Sequence, residues 1–173
     1  LGIGKAVWVG HDWGAPAVWS LASHHPERCH AVANLCVPYA ALDGGLEAAL
    51  PQIDRKVYPE DEFPYGQWEY QKFYEEDFPA ALAAFDANPY NAVKALFRKG
   101  SAKGRGEPSR TAYVRRDKGW FGGLAEAPDV PRDADVVSEA DLSTYAAALA
   151  RNGFFGPSSW YMNHGRNAEY AAR

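Results

Sequence analysis

The feature that most constrains the fold is a strand-to-helix corner near the start of the chain, in the stretch VWVGHDWGAPAVW. Residues Ala6 to Val9 are apolar, partly β-branched and followed by Gly10, which predicts a short strand buried on both faces. A helix is predicted from near Ala15 to about His25, because Pro16 suits its first turn and Pro26 disfavours helical geometry in the residue before it.

A second strand is predicted directly after this helix. The segment AVANLCV, Ala31 to Val37, is apolar and is closed by Pro38. Strand, helix and strand form one βαβ unit, so the two strands should be parallel neighbours with a right-handed crossover. Open α/β sheets place their chemistry at the carboxyl ends of the strands, and Asp12 is therefore expected on the turn that ends the first strand.

The turn itself has the pattern Gly10-His11-Asp12-Trp13-Gly14, which is typical of a nucleophile elbow. Glycines on both sides are expected because neighbouring backbone passes too close for a Cβ atom. The following helix N-terminus stabilises negative charge near the turn. With aspartate in place of the commoner serine, the pattern predicts attack on an sp³ carbon and an alkyl-enzyme ester. The alternative is that Asp12 only caps the helix.

Composition limits the classes of partner. The 173 residues are 47% hydrophobic and carry a formal net charge of -4, with no clustered basic face for nucleic acid or an anionic membrane. No apolar run approaches the roughly 20 residues that cross a bilayer. Cys29 and Cys36 are neither a CxxC pair nor beside a set of histidines, so reduced thiols, no metal and no cofactor are expected. We expect a cytoplasmic chain, and its oligomeric state stays open.

After residue 40 the strand signals stop and helical segments replace them. The segment NPYNAVKALFR predicts a helix with Asn88 as N-cap and Pro89 at its first position. The segment SEADLSTYAAALARNG predicts another, with Ser138 as N-cap, Gly153 as its end, and one apolar face that includes Tyr145. The Gly-rich, basic stretch RKGSAKGRGEPSR between them is expected to be a mobile surface loop.

These elements predict three regions. Residues 1–42 are expected to be part of an α/β core, residues 43–165 a helical lid, and residues 166–173 the start of a return to the core. Two parallel strands make no stable sheet alone, so the chain is expected to begin inside a larger domain and to stop within a helix.

Longer stretches of the sequence resemble one family. The stretch GHDWGAPAVWSLASHHPERCHAVANLCVPY is similar to the elbow region of the epoxide hydrolases of the α/β-hydrolase fold. The stretches WEYQKFYEEDFPAALAAFDANPYNAVKALFR and GFFGPSSWYMNHGRN are similar to the two lid segments of that family. The resemblance covers nearly the whole chain and is weakest over residues 98–135. It implies a partial α/β-hydrolase fold, with the elbow βαβ unit followed by a mostly helical lid.

The resemblance also implies roles for individual residues. Asp12 matches the nucleophile, while Tyr70 of WEYQ and Tyr161 of SWYMN match two lid tyrosines that donate to the epoxide oxygen. The backbone N–H of Trp13 is expected in the oxyanion hole. The substrate pocket is expected to be lined by His11, Trp13 and Trp160. The remaining histidines are expected at surface or packing positions: His24, His25, His30 and His164.

The implied reaction opens a small apolar epoxide to an ester, which water then hydrolyses to a vicinal diol. In this family the water-activating histidine and its acid follow the second lid segment, and an HGxP loop precedes the elbow, so the isolated chain is expected to be inactive in turnover. Two alternatives stay open. One is a haloalkane or haloacid dehalogenase with the same nucleophile, and the other is a non-catalytic module that binds apolar ligands.

Overall fold

The computed structural model describes residues 2–40 and 43–173. Its strands are β1 (Ala6–His11) and β2 (Cys29–Leu35). Its helices, in chain order, are α1 (Gly14–His24), α2 (Gly45–Ala49), α3 (Glu69–Glu76), α4 (Phe78–Asp86), α5 (Pro89–Leu96), α6 (Glu139–Asn152), α7 (Phe155–Ser158) and α8 (His164–Ala171). Short 3-10 turns cover Pro26–Arg28, Leu50–Gln52, Gly66–Trp68, Ala102–Gly104, Arg110–Tyr113 and Ser159–Met162.

The predicted βαβ unit is confirmed. Strands β1 and β2 pair in parallel, with Val9 opposite Ala33 and Gly10 opposite Asn34. Strand β1 runs on to the residue before Asp12. Strand β2 begins and ends two residues earlier than predicted. It ends before Cys36 because that residue has a φ of 74°, which is incompatible with an extended strand.

The expected burial of the first strand on both faces is wrong. Val7 and Val9, which project to the same side of the strand, are 61% and 66% exposed. Within the described part of the chain, α1 packs against both strands and supports the sheet on its other side. The apolar sequence of β1 therefore predicts burial on both faces, but β2 and α1 do not cover the face that carries Val7 and Val9.

The predicted helix ends are confirmed at atomic detail. The Asn88 side chain accepts a hydrogen bond from the backbone N–H of Asn91 at 3.0 Å, and Pro89 begins α5. Ser138 caps α6 in a full capping box, and Gly153 ends that helix with a φ of 70°. The predicted apolar face of α6 is only partly buried, because the Tyr145 ring is exposed and stacks on Phe97 instead of entering the core.

The chain divides into two compact units. One contains the residues up to Pro51 together with Asn163–Arg173, and the other is Gln52–Met162. The first holds the sheet and α1, with Ala15 and Val18 buried. The second has a core built largely from small and aromatic side chains on its helices and loops: Phe73, Tyr74, Ala81, Phe85, Ala92, Ala95, Val114, Phe121, Ala127 and Phe154. The lid boundaries at residues 43 and 165 stay predictions.

None of the helices formed by residues 2–40 and 43–173 is long and apolar enough to span a membrane. Cys29 and Cys36 are free thiols.

Candidate active site

Asp12 occupies a strained corner at the end of β1. Its φ is 51°, in the left-handed region, and it is followed within two residues by the first residue of α1. The backbone N–H of Ala15 donates to the Asp12 carbonyl at 2.9 Å and closes the turn. A left-handed residue other than glycine costs about 1–2 kcal/mol, and aspartate is among the residues that tolerate it. The corner therefore holds the Asp12 side chain in an exposed position beyond the strand.

The two glycines of the elbow pattern are not equivalent. A Cβ atom on Gly10 would lie 2.4 Å from the carbonyl oxygen of Gly14 and 2.4 Å from Oδ1 of Asn34. A Cβ atom on Gly14 would meet no described heavy atom within 4 Å. The expected close approach of backbone is thus confirmed at Gly10. It is wrong at Gly14, because the carbonyl group of that residue faces Gly10 while its own Cβ position faces open space.

The Asp12 carboxylate is held by its neighbour. The backbone N–H of Trp13 donates to Oδ2 of Asp12 at 2.7 Å. Trp13 is itself the N-cap residue of α1, and no side chain in the described part of the protein caps that helix. The side chain of a capping aspartate accepts a hydrogen bond from the backbone N–H of the second or third helical residue. The Asp12 side chain instead accepts from the N–H of Trp13, the cap residue itself. This geometry disfavours the reading of Asp12 as a simple helix cap.

The side chain of Trp13 packs within the same unit. Its ring centroid lies 6.0 Å from that of His164, which is buried at the first position of α8. Sequence reasoning assigned His164 to the second lid segment, and the structure groups it with the elbow unit. No local pattern signals this contact, because the two residues are far apart in the sequence.

Two tyrosines predicted for the site come together in the other unit. Tyr70 lies in the first turn of α3, and Tyr161 lies in the 3-10 turn Ser159–Met162. Their ring centroids are 5.3 Å apart at an interplanar angle of 79°. Trp120 adds an edge-on contact to Tyr70 at 5.6 Å. The structure therefore brings together two residues that the lid motifs place in separate segments.

A third tyrosine, which sequence reasoning missed, supports this pair. Tyr74 is stacked on Tyr161 with a centroid distance of 4.7 Å and an angle of 19°. Its side chain is 4% exposed, and burial raises the pKa of Tyr74 to about 12, although the Ser158 side chain opposes that rise. The spacing of Tyr74 could have identified it from the sequence. Residues four apart lie on the same face of a helix, as Tyr70 and Tyr74 do on α3.

The other predicted pocket residues are exposed. His11 is the last residue of β1, and Trp160 lies in the 3-10 turn beside Tyr161. Their assignment to a substrate pocket stays a prediction. Residues 2–40 and 43–173 hold no cluster of three or more His, Cys, Asp or Glu side chains that could bind a metal ion.

Known proteins resemble this chain over its length. Residues 1–121 match the family described as alpha/beta hydrolase fold. The chain is 31% identical over 173 residues to bifunctional epoxide hydrolase 2 of Sus scrofa, covering 100% of this chain and 28% of that protein. It is 30% identical over 182 residues to epoxide hydrolase A of Mycobacterium tuberculosis, covering 99% of this chain and 49% of that protein.

A crystal structure agrees with these sequence relatives. Epoxide hydrolase A from Mycobacterium thermoresistibile superposes with a TM-score of 0.64 at 27% identity, covering 96% of this chain and 48% of that one. The chain thus spans between about a quarter and a half of the length of the curated relatives named above.

Proposed function

This chain belongs to the alpha/beta-hydrolase fold family, and we propose that it carries the ring-opening machinery of an epoxide hydrolase. In this proposal Asp12 is the nucleophile, and Tyr70 and Tyr161 donate hydrogen bonds to the epoxide oxygen. The substrate is a small apolar epoxide. The proposal rests on the elbow geometry of Asp12 and on the similarity of the chain to epoxide hydrolases of two bacteria and a mammal.

The first step is an alkylation of the enzyme. Oδ1 of Asp12 attacks one ring carbon from the side opposite the ring oxygen, and the C–O bond on that carbon breaks. The electron pair of the broken bond stays on the ring oxygen, which takes a proton from one tyrosine and a hydrogen bond from the other. The product is a hydroxyalkyl ester of Asp12. Phenols suit this role because they donate without carrying a charge at neutral pH.

The second step is hydrolysis of that ester. Water adds to the carboxyl carbon of Asp12, one of its protons returns to the tyrosine phenolate left by the first step, and the negative charge of the tetrahedral intermediate forms on Oδ2. In this proposal the Trp13 N–H, which lies 2.7 Å from Oδ2 in the free protein, stabilises that charge. Collapse of the intermediate releases the vicinal diol and regenerates the carboxylate. This assignment makes Oδ1, and not Oδ2, the attacking oxygen.

One epoxide has to meet the carboxylate and both phenols together. The contact between the Tyr70 and Tyr161 rings supports the proposal that one epoxide meets both phenols. The convergence of Asp12 with the two tyrosines stays a prediction.

The observation that carries the proposal is a carboxylate on a left-handed corner, held by the N–H of the next residue. The test is to incubate the purified protein with styrene oxide and to map adducts by peptide mass spectrometry. We expect an adduct on Asp12 that Asp12→Asn abolishes. The exposed carboxylate of Asp61 provides a matched control, because Asp61→Asn should leave adduct formation unchanged.

A parallel incubation with 1-chlorobutane separates the alternatives. Chloride release with an Asp12 adduct, and no reaction with the epoxide, would favour a dehalogenase. An Asp12 that reacts with neither compound would favour a non-catalytic binding module.

A further inference from the structure

A buried amide contacts the hydroxyl of the first lid tyrosine. Gln71 on α3 is 4% exposed, and its Nε2 donates a hydrogen bond to Oη of Tyr70 at 2.9 Å. Successive residues on a helix point about 100° apart, so a bond between neighbouring side chains is not a general feature of helices. Two side chains must bend toward each other to make it.

The rest of the Gln71 amide is poorly satisfied. Its Oε1 is buried and has no hydrogen-bond partner among the residues that the structure describes. Buried polar atoms are nearly always paired, because leaving one without a partner is costly. An apolar side chain of the same length would avoid that cost, so the amide at this position requires an explanation other than packing.

We propose that Gln71 is a positioning residue for Tyr70, an inference that rests on the proposed function. A phenol oxygen has one hydrogen to donate and lone pairs with which to accept. The N–H of Gln71 occupies a lone pair of Tyr70, so the Tyr70 hydrogen has to point away from the amide. The amide thereby fixes the direction in which Tyr70 donates.

The same bond assists proton transfer. When the epoxide C–O bond breaks, the Tyr70 proton passes to the ring oxygen and the electron pair of its O–H bond stays on Oη. The negative charge that develops there is stabilised by the Gln71 N–H, which is already in place 2.9 Å away. The edge-on contact of Trp120 restrains the Tyr70 ring.

The experiment is a double-mutant cycle between Gln71→Met and Tyr70→Phe. The purified protein is mixed with saturating styrene oxide, and the rate of Asp12 adduct formation is followed by mass spectrometry. We expect Gln71→Met to slow the reaction about tenfold when Tyr70 is present, the effect of one hydrogen bond to a charged group. In the Tyr70→Phe background the same change should have no further effect. The epoxide concentration that gives half of the maximal rate should stay unchanged, because Gln71 acts on the ring-opening step and not on substrate binding.

Control variants separate positioning from stability. Lys72→Met makes the same replacement at the next position of α3, where the side chain pairs with Glu75 and lies over the Tyr65 ring, and it should leave the rate unchanged. If Gln71→Met does not fold, as judged by circular dichroism, the nearly isosteric Gln71→Glu replaces it. That variant exchanges the amide donor for a carboxyl oxygen and should also lose rate only when Tyr70 is present.

Two results would overturn the inference alone. One is an unchanged rate in the Gln71 variant, and the other is an equal loss in both backgrounds, which would indicate a structural role. If the unsubstituted protein forms no Asp12 adduct at all, the proposed function itself fails.

Discussion

Replacing Gly10 by alanine should damage the elbow, and replacing Gly14 should not. The new Cβ at residue 10 would lie 2.4 Å from the carbonyl oxygen of Gly14 and 2.7 Å from its carbonyl carbon. Both atoms belong to the backbone at the start of α1, so no side-chain rotation relieves the overlap. The third close atom, Oδ1 of Asn34 at 2.4 Å, belongs to a side chain that can move.

The magnitude follows from the size of this overlap. A carbon and a carbonyl oxygen in contact stay about 3.3 Å apart, so relief requires a displacement of about 0.9 Å. Overpacking of this kind costs about 1–3 kcal/mol. Because the displaced backbone also carries Asp12, a shift of about 1 Å can slow its alkylation by about 100-fold. For Gly14→Ala the free energy of unfolding should stay unchanged or rise by up to about 1 kcal/mol, since alanine is the better helix former.

The assay combines urea unfolding, followed by circular dichroism, with the rate of Asp12 adduct formation from styrene oxide. The double variant Gly10→Ala/Asn34→Ala identifies the atom responsible. If the backbone of Gly14 is the obstacle, removing the Asn34 side chain restores neither stability nor rate. Full rescue by Asn34→Ala, or equal damage from Gly10→Ala and Gly14→Ala, would refute the reasoning from backbone contact.

Other changes test the second unit and its charges. Tyr74→Phe keeps the ring but removes the hydroxyl near Ser158, so we expect a loss of about 1 kcal/mol and, in an ultraviolet titration, the loss of the tyrosine with a pKa of about 12. Ser138→Ala removes the cap of α6 and should cost about 1 kcal/mol in urea unfolding. Arg115 lowers the pKa of Glu76 by hydrogen bonding, so this pair stabilises the fold above the unfolded carboxyl pKa of about 4.3, and the stabilisation is lost as the pH falls further. Arg115→Met should flatten that acid-side decline in stability.

The corner around Asp12 could be predicted because its determinants are local. A strand, a glycine, a polar residue and a helix start lie within a few positions of each other, and steric limits on the backbone leave few ways to join them. Asp12 lies on the turn after β1 as predicted, although the extent and burial of the strand and the surroundings of Gly14 differ from the prediction. Chemical role is a separate matter, because the same corner could present an aspartate that does no chemistry.

The supporting contacts could not be predicted in the same way. Tyr74 stacks on Tyr161, and Trp13 packs near His164, through tertiary contacts between residues distant in sequence. An apolar or aromatic residue at helical spacing indicates that a face is buried but does not identify its partner. Gln71 is harder still, since a glutamine beside a tyrosine reads as a surface residue until its burial is known.

An aromatic environment has two effects on a phenol that must donate a proton. Burial disfavours phenolate, as it does at Tyr74, where it raises the pKa to about 12. Burial thus keeps a phenol in the protonated form, which is the form that can donate a hydrogen bond. The same burial would be a disadvantage if the acceptor were a weak base. The oxygen of an opened epoxide is an alkoxide, a far stronger base than a phenolate. Transfer from a phenol to this oxygen thus stays favourable even where burial raises the pKa of the phenol, whereas a lysine or arginine in the same role would form an ion pair with the attacking carboxylate and oppose its attack.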